Sequence, residues 1–96
     1  MIKDYELMVM FTPKLNADEA NLANEALLNL LRENEAEIIK TDDWGKRMLA
    51  YPIEKLQEAY YYVNYFKLDS LKVKSIAQLL NINEQVLRFM FVAKDE

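Results

Sequence analysis

The sequence predicts an α+β domain in which four antiparallel strands form one sheet and two helices lie on one of its faces. Three observations carry this. Runs with an apolar period of two alternate with two runs of helical period, in the order β-α-β-β-α-β. Each helical run has one apolar stripe, and both stripes are buried only if both helices cover the same side of the sheet. A chain of 96 residues that is 52% hydrophobic suffices for one packed core and not for two, so residues 1–96 are read as one domain.

Residues 3–11 form the first strand, with Tyr5, Leu7, Val9 and Phe11 on one face and Asp4, Glu6, Met8 and Met10 on the other. Thr12, Pro13 and Lys14 break it. Asn16 then caps a helix, with Glu19 as the reciprocal member of a capping box. Ala20, Ala23, Leu27, Leu30 and Leu31 make its apolar stripe. It is expected to stop near Asn34, a residue that tolerates the left-handed conformation. From about Glu37 to Tyr51 the chain reads as extended, interrupted at 42–45. Gly45 is the only glycine in the chain and is expected to supply a positive φ at a bulge or bend.

Pro52 ends that strand, Glu54–Glu58 make a turn, and the aromatic-rich run Ala59–Leu68 is the third strand. Asp69 or Ser70 caps the second helix, whose stripe is Val73, Ile76, Ala77 and Leu80. Asn81–Gln85 lead to the last strand, Val86–Ala93, with Leu87, Phe89 and Phe91 on one face. With right-handed crossovers this is the split βαβ, or ferredoxin-like βαββαβ, arrangement.

Composition narrows the chemistry. The chain contains no cysteine and no histidine. A disulfide scaffold, a thiolate metal site, a cysteine nucleophile and the usual general base near neutral pH are therefore excluded. Asp42 and Asp43 are adjacent in a strand and so face opposite sides, which makes them a poor acid–base pair. A phosphate-cradling loop needs more than one glycine. We therefore expect no enzyme, no metal, no cofactor and no small-molecule substrate. Asp4 and Glu6 interrupt the first apolar residues, so no signal peptide is expected, and no apolar run approaches a membrane span. A cytoplasmic setting is the expectation.

The net charge is -4, which disfavours a free-standing nucleic-acid binder. It is unevenly spread: residues 1–44 hold ten acidic and four basic side chains, residues 45–96 six acidic and eight basic. Any polyanion contact is expected in the second half.

The sheet face without helices is the informative one. If it met only water it would be polar. It carries instead Met8, Met10, Met90 and Val92 beside Glu6 and Arg88, with Met48 expected to join them while Leu49 turns inward. One aromatic set of the third strand, Tyr60/Tyr62 or Tyr61/Tyr65, must also face this way. We assign Tyr61 and Tyr65 with Val63. Methionine and tyrosine make adaptable contact surface. Met8, Met10, Tyr61, Val63, Tyr65 and Met90 are thus the candidate partner-binding patch, set against a homodimer surface or scattered exposed apolar residues.

At 44–53 the chain reads Trp44-Gly45-Lys46-Arg47-Met48-Leu49-Ala50-Tyr51-Pro52-Ile53. Two adjacent cations after a glycine bend can contact phosphate, though alone they are more often a solvated surface. The decapeptide as a whole resembles the signature of the family of the sixth protein of the bacterial small ribosomal subunit. The likeness runs over nearly the full chain: the Tyr5-Glu6 strand, the capped helix, the aromatic third strand and a closing strand with Val86, Arg88 and Met90-Phe91-Val92.

The resemblance implies the βαββαβ fold and a place in the small subunit of a cytoplasmic or organellar ribosome. It further implies binding to the central domain of small-subunit ribosomal RNA together with the eighteenth small-subunit protein. Lys46, Arg47 and Arg88, with Lys3 as a fourth, become the RNA candidates. Gly45, Leu49, Ala50, Tyr51, Pro52 and Ile53 become structural signature positions, with Leu49 and Ile53 expected in the core and Tyr51 and Pro52 shaping the strand end. Arg88 is equally placed to pair with Glu6 across the sheet. Met48 and Glu54 stand where the family favours polar or basic residues, and Glu35 where a glycine often ends the first helix.

Two other readings compete. An RNA-recognition motif has the same element order, and Tyr60, Tyr62, Val63 and Tyr65 match part of its third-strand pattern, whereas Glu58, Ala59 and Tyr61 do not. A ligand-sensing dimer would pair through the same open face.

Overall fold

The computed structural model describes residues 1–94. Strands β1 (Ile2–Phe11), β2 (Glu37–Ile53), β3 (Leu56–Asp69) and β4 (Val86–Lys94) and helices α1 (Ala17–Glu33) and α2 (Val73–Asn81) follow in the order β1-α1-β2-β3-α2-β4. The sheet is antiparallel throughout with strand order β2-β3-β1-β4, the ferredoxin-like arrangement. β1 and β3 are interior, and β2 and β4 are the edges.

Cross-strand partners share a face, so the pairs Tyr5–Phe66, Leu7–Asn64, Val9–Tyr62 and Phe11–Tyr60 define the helix side. All eight residues are buried. Against them α1 packs Ala20, Leu27, Leu28 and Leu31, and α2 packs Ile76 and Leu80. Each fully buried Leu, Ile or Phe here contributes about 1.5–3 kcal/mol relative to exposure. One polar cluster lies within this layer. The side-chain amides of Asn24 and Asn64 exchange two hydrogen bonds of 3.1 and 2.9 Å, and the Thr41 hydroxyl donates to Asn64 Oδ1 at 2.8 Å.

Helix α1 begins with the expected capping box: Glu19 N–H donates to Asn16 Oδ1 and Asn16 N–H to Glu19 Oε1, both at 2.8 Å. At its other end Asn34 is the cap, as expected, but its φ is -97°. The left-handed residue is Glu35 (φ 66°). The reason is a Schellman closure, in which Glu35 N–H donates to Arg32 O and Ala36 N–H to Leu31 O. That motif puts the positive φ one residue past the cap. Asp69 does cap the 3-10 turn Ser70–Lys72 that leads into α2, accepting from Leu71 N–H at 3.1 Å.

Three further differences concern strand phase and length. The β2–β3 turn is not Glu54–Glu58. Ile53 pairs with Leu56 around Glu54 (φ 50°) and Lys55 (φ 68°). Two consecutive positive φ values are the mark of a type I′ hairpin, so a two-residue turn suffices. Pro52 does not end β2 either. Pairing passes from Met48–Glu58 to Ile53–Leu56, leaving residues 49–52 opposite residue 57 alone. The strand arcs out of the ladder there, where proline costs no hydrogen bond. In β4, Met10 pairs with Arg88 but Phe11 with Val86, so Leu87 is an extra residue. Val86, rather than Leu87, packs against the core with Phe89 and Phe91.

Candidate functional site

Register lays out the open face in rows, read across β2, β3, β1 and β4. They are Glu37–Lys67–Asp4–Lys94, Lys40–Tyr65–Glu6–Val92, Asp42–Val63–Met8–Met90, and Gly45–Tyr61–Met10–Arg88. The first two rows are charged and largely self-compensating. Lys94 Nζ lies 2.8 Å from Glu6, and Lys40 lies 3.9 Å from Asp42 with its ammonium 4.6 Å from the Tyr65 ring centroid. The Glu6 carboxylate, by hydrogen bond and charge, raises the Lys94 ammonium above its usual pKa. Burial, then the Asp42 and Glu6 carboxylates, raise that of the Tyr65 phenol. Glu6 is thus taken by Lys94. Arg88, two rows away, does not pair with it.

The next two rows are apolar and aromatic at their centre, with Asp42 and Arg88 at their ends. Met8, Met10, Met90, Tyr61 and Val63 lie together there, with Tyr65 at their border; Met90 is 54% exposed, Met8, Met10 and Tyr61 are half-buried, and Val63, at 5%, is buried beneath its neighbours. Tyr60 and Tyr62 point the other way, into the core. The recognition-motif reading needs those two rings free to stack on bases, and their burial removes it.

Gly45 sits at a bulge in β2, with φ 72° and its N–H donating to Asp43 Oδ1 at 2.8 Å. A Cβ added there would meet nothing within 4 Å. The glycine therefore serves backbone conformation, not close approach. The extra residue is Trp44. Its ring stacks on Tyr61 at 6.3 Å and 13°, and the Arg47 guanidinium lies 5.6 Å from its centroid while Arg47 Nε donates to Trp44 O at 3.0 Å.

A one-residue bulge reverses the facing of the side chains that follow it up to the next break in register, and this bulge with the arc beyond Met48 corrects two expectations. Met48 pairs with Glu58 on the helix side and does not join the other methionines. Leu49 and Ile53 are not core residues. They line a recess of about 210 Å³ on the open face, together with Met10, Ala50, Tyr51, Tyr61 and Arg88. Tyr51 does more than shape a strand end: the Arg88 guanidinium lies 5.7 Å from its ring centroid and 3.5 Å from its hydroxyl. Nothing local in the sequence signals this contact, because it spans 37 positions.

Of the four candidate cations, Arg47 and Arg88 are on the open side. Lys46 pairs with Tyr60, its Nζ 5.4 Å from that ring, on the helix side of the β2 edge. Lys3 pairs with Leu68, also on the helix side. Eight residues of β3 separate Leu68 from Tyr60, roughly 26 Å of strand at about 3.3 Å per residue. Lys3 is therefore not brought together with the others. Among the described residues no helix is long and apolar enough to cross a membrane.

The family model for ribosomal protein S6 matches residues 4–93. The small ribosomal subunit protein bS6 of Thermoanaerobacter pseudethanolicus is 37% identical over 95 residues, 99% of this chain and 100% of its own length. That of Carboxydothermus hydrogenoformans is 33% identical over 96 residues, all of both chains. The solved 30S ribosomal protein S6 of Thermotoga maritima superposes with a TM-score of 0.91 at 23% identity, covering 98% of this chain and 89% of that one. That superposition bears on the fold, and the sequence matches bear on descent. The chain belongs to the ribosomal protein S6 family.

Proposed function

We propose that this small-subunit ribosomal protein binds the central domain of small-subunit ribosomal RNA jointly with the eighteenth small-subunit protein, as a structural component and not a catalyst. The observation that carries the reading is the open face: two apolar rows that neither helix covers, bordered by Arg47 and Arg88. Exposed contiguous apolar surface of this kind marks a contact site. Met8, Met10, Tyr61, Tyr65 and Met90 serve the protein partner, and Val63, only 5% exposed, supports them from below the surface. Lys46 and Arg47, beside the Gly45 bulge on an edge strand, reach phosphate. Lys3 has no part in this arrangement. An acidic protein that docks through a protein partner needs only a few phosphate contacts, each adding a salt-dependent increment.

The test is binding to a central-domain RNA fragment with and without the eighteenth protein, over a range of salt. Tight binding is expected only with both proteins present. Lys46→Ala with Arg47→Ala should weaken it and reduce the salt slope by roughly 1.4–1.8, the release expected for two phosphates. Equally tight binding of single-stranded RNA by this chain alone would contradict the proposal, as would a stable homodimer that excludes the partner.

A further inference from the structure

We propose that the recess under the β2 arc, with Arg88 at its mouth, takes an apolar side chain of the protein partner that is flanked by a carboxylate. This rests on the reading above that a protein covers the open face, and it moves Arg88 from an RNA contact to a protein contact. The recess is built from four separate parts of the chain: Met10, the arc from Leu49 to Ile53, Tyr61 and Arg88. Its volume of about 210 Å³ is of side-chain size. Leu49 and Ile53 are half-buried on it, although none of the described residues fills it.

Charge complementarity identifies the occupant. On the same face Glu6 and Asp42 are paired with Lys94 and Lys40. Arg88 has no ion pair among the described residues. Its guanidinium lies 5.7 Å from the Tyr51 ring centroid, and its one polar contact among the described residues, from Nη1 to the Tyr51 hydroxyl, is 3.5 Å long, which leaves its other donors free. The in-plane edge of a guanidinium is a fork of donors that fits a carboxylate with two parallel bonds. A fork at the rim of an apolar recess is the geometry of a buried anchor with a charged neighbour.

Phosphate fits the recess less well. A phosphodiester has nothing to place against Met10, Leu49 and Ile53. The two rings that line the recess are each engaged within the chain, Tyr51 by the Arg88 guanidinium and Tyr61 by Trp44, which leaves mainly aliphatic surface inside it. Arg47 and Lys46 do not line this recess and remain the phosphate ligands.

The experiment is calorimetric titration of the full chain with the purified eighteenth small-subunit protein, without RNA. Arg88→Met keeps the aliphatic stem and should lower affinity at least tenfold with circular dichroism unchanged. Arg88→Lys should recover less than half of that loss, and Leu49→Asp should match it. Changing each Asp and Glu of the partner to its amide should reveal one position that reproduces the loss and adds nothing in combination with Arg88→Met. Arg88→Met binding within twofold of wild type would overturn the inference. So would unchanged protein affinity with weakened RNA assembly, which would make Arg88 a phosphate ligand. If the wild-type chain fails to bind the partner at all, the broader proposal falls and this one with it. If wild type and Arg88→Met bind alike, only this one falls.

Discussion

The guanidinium of Arg88 lies 5.7 Å from the ring of Tyr51, although the two residues belong to opposite edge strands of the sheet. Three strand spacings separate β2 from β4, roughly 14 Å at about 4.8 Å each. Tyr51 closes that gap because residues 49–52 leave the ladder and arc across the open face. The contact therefore ties the end of the β2–β3 hairpin to the far side of the molecule and forms one wall of the recess.

Tyr51→Ala should lower stability by about 1 kcal/mol, the scale of a cation–π contact at an exposed site. It should also speed amide exchange at residues 49–53 more than elsewhere. Tyr51→Phe keeps the ring and gives up only the 3.5 Å hydroxyl contact, so it should stay close to wild type. Urea denaturation and hydrogen exchange measure the two effects. Unchanged exchange in Tyr51→Ala would mean that the arc is held by other contacts.

The buried amide pair is a second test. Asn64→Ala strands the buried Asn24 amide in an apolar layer, at a cost of about 1–3 kcal/mol, while the exposed Thr41 hydroxyl turns to water. Replacing both asparagines with leucine removes the stranded group, so the double variant should lose less than the sum of the two single changes. A thermodynamic cycle from denaturation midpoints reads this coupling. Additive losses would show that the two side chains act independently.

Strand phase could be read from the sequence wherever the ladder is regular. Tyr5, Leu7, Val9 and Phe11 of β1 are buried, and Tyr61, Val63 and Tyr65 share the open face because β3 pairs with β1 without a break. Phase is lost beyond each extra residue. Ile39 is a first extra residue in β2, Met48 and Leu49 lie past the second at Trp44, Ile53 lies past the arc as well, and Leu87 is itself an extra residue. One glycine announces a bulge but does not say which neighbour is the added one. The Glu54–Lys55 turn carries none of the residues that favour its type. The candidate site was thus half visible: its methionines and tyrosines follow alternation, whereas the Tyr51–Arg88 wall depends on the path of an irregular arc.

Non-glycine residues at positive φ store correctable strain. Glu35→Gly should raise stability by about 0.5–1 kcal/mol. The Lys72–Glu35 pair that it removes, at 2.9 Å, involves a Glu35 side chain 86% exposed and contributes little. Glu54→Asn with Lys55→Gly supplies the preferred type I′ residues and should raise stability by a similar amount. Denaturant midpoints at constant m-value test both. Destabilisation by either change would mean that the replaced side chain makes a contact worth more than the strain.

Methionine oxidation in intact small ribosomal subunits tests most directly whether the open face is covered. Met90 is 54% exposed in the free chain and lies beside Met8 on that face. Brief peroxide treatment of the free protein and of purified subunits, read by mass spectrometry of each methionine peptide, compares the two states. Met90 should oxidise readily in the free chain and be strongly protected in the subunit, with Met10 following it. Oxidation of Met90 at the same rate in both would contradict a face built to be covered by protein and RNA.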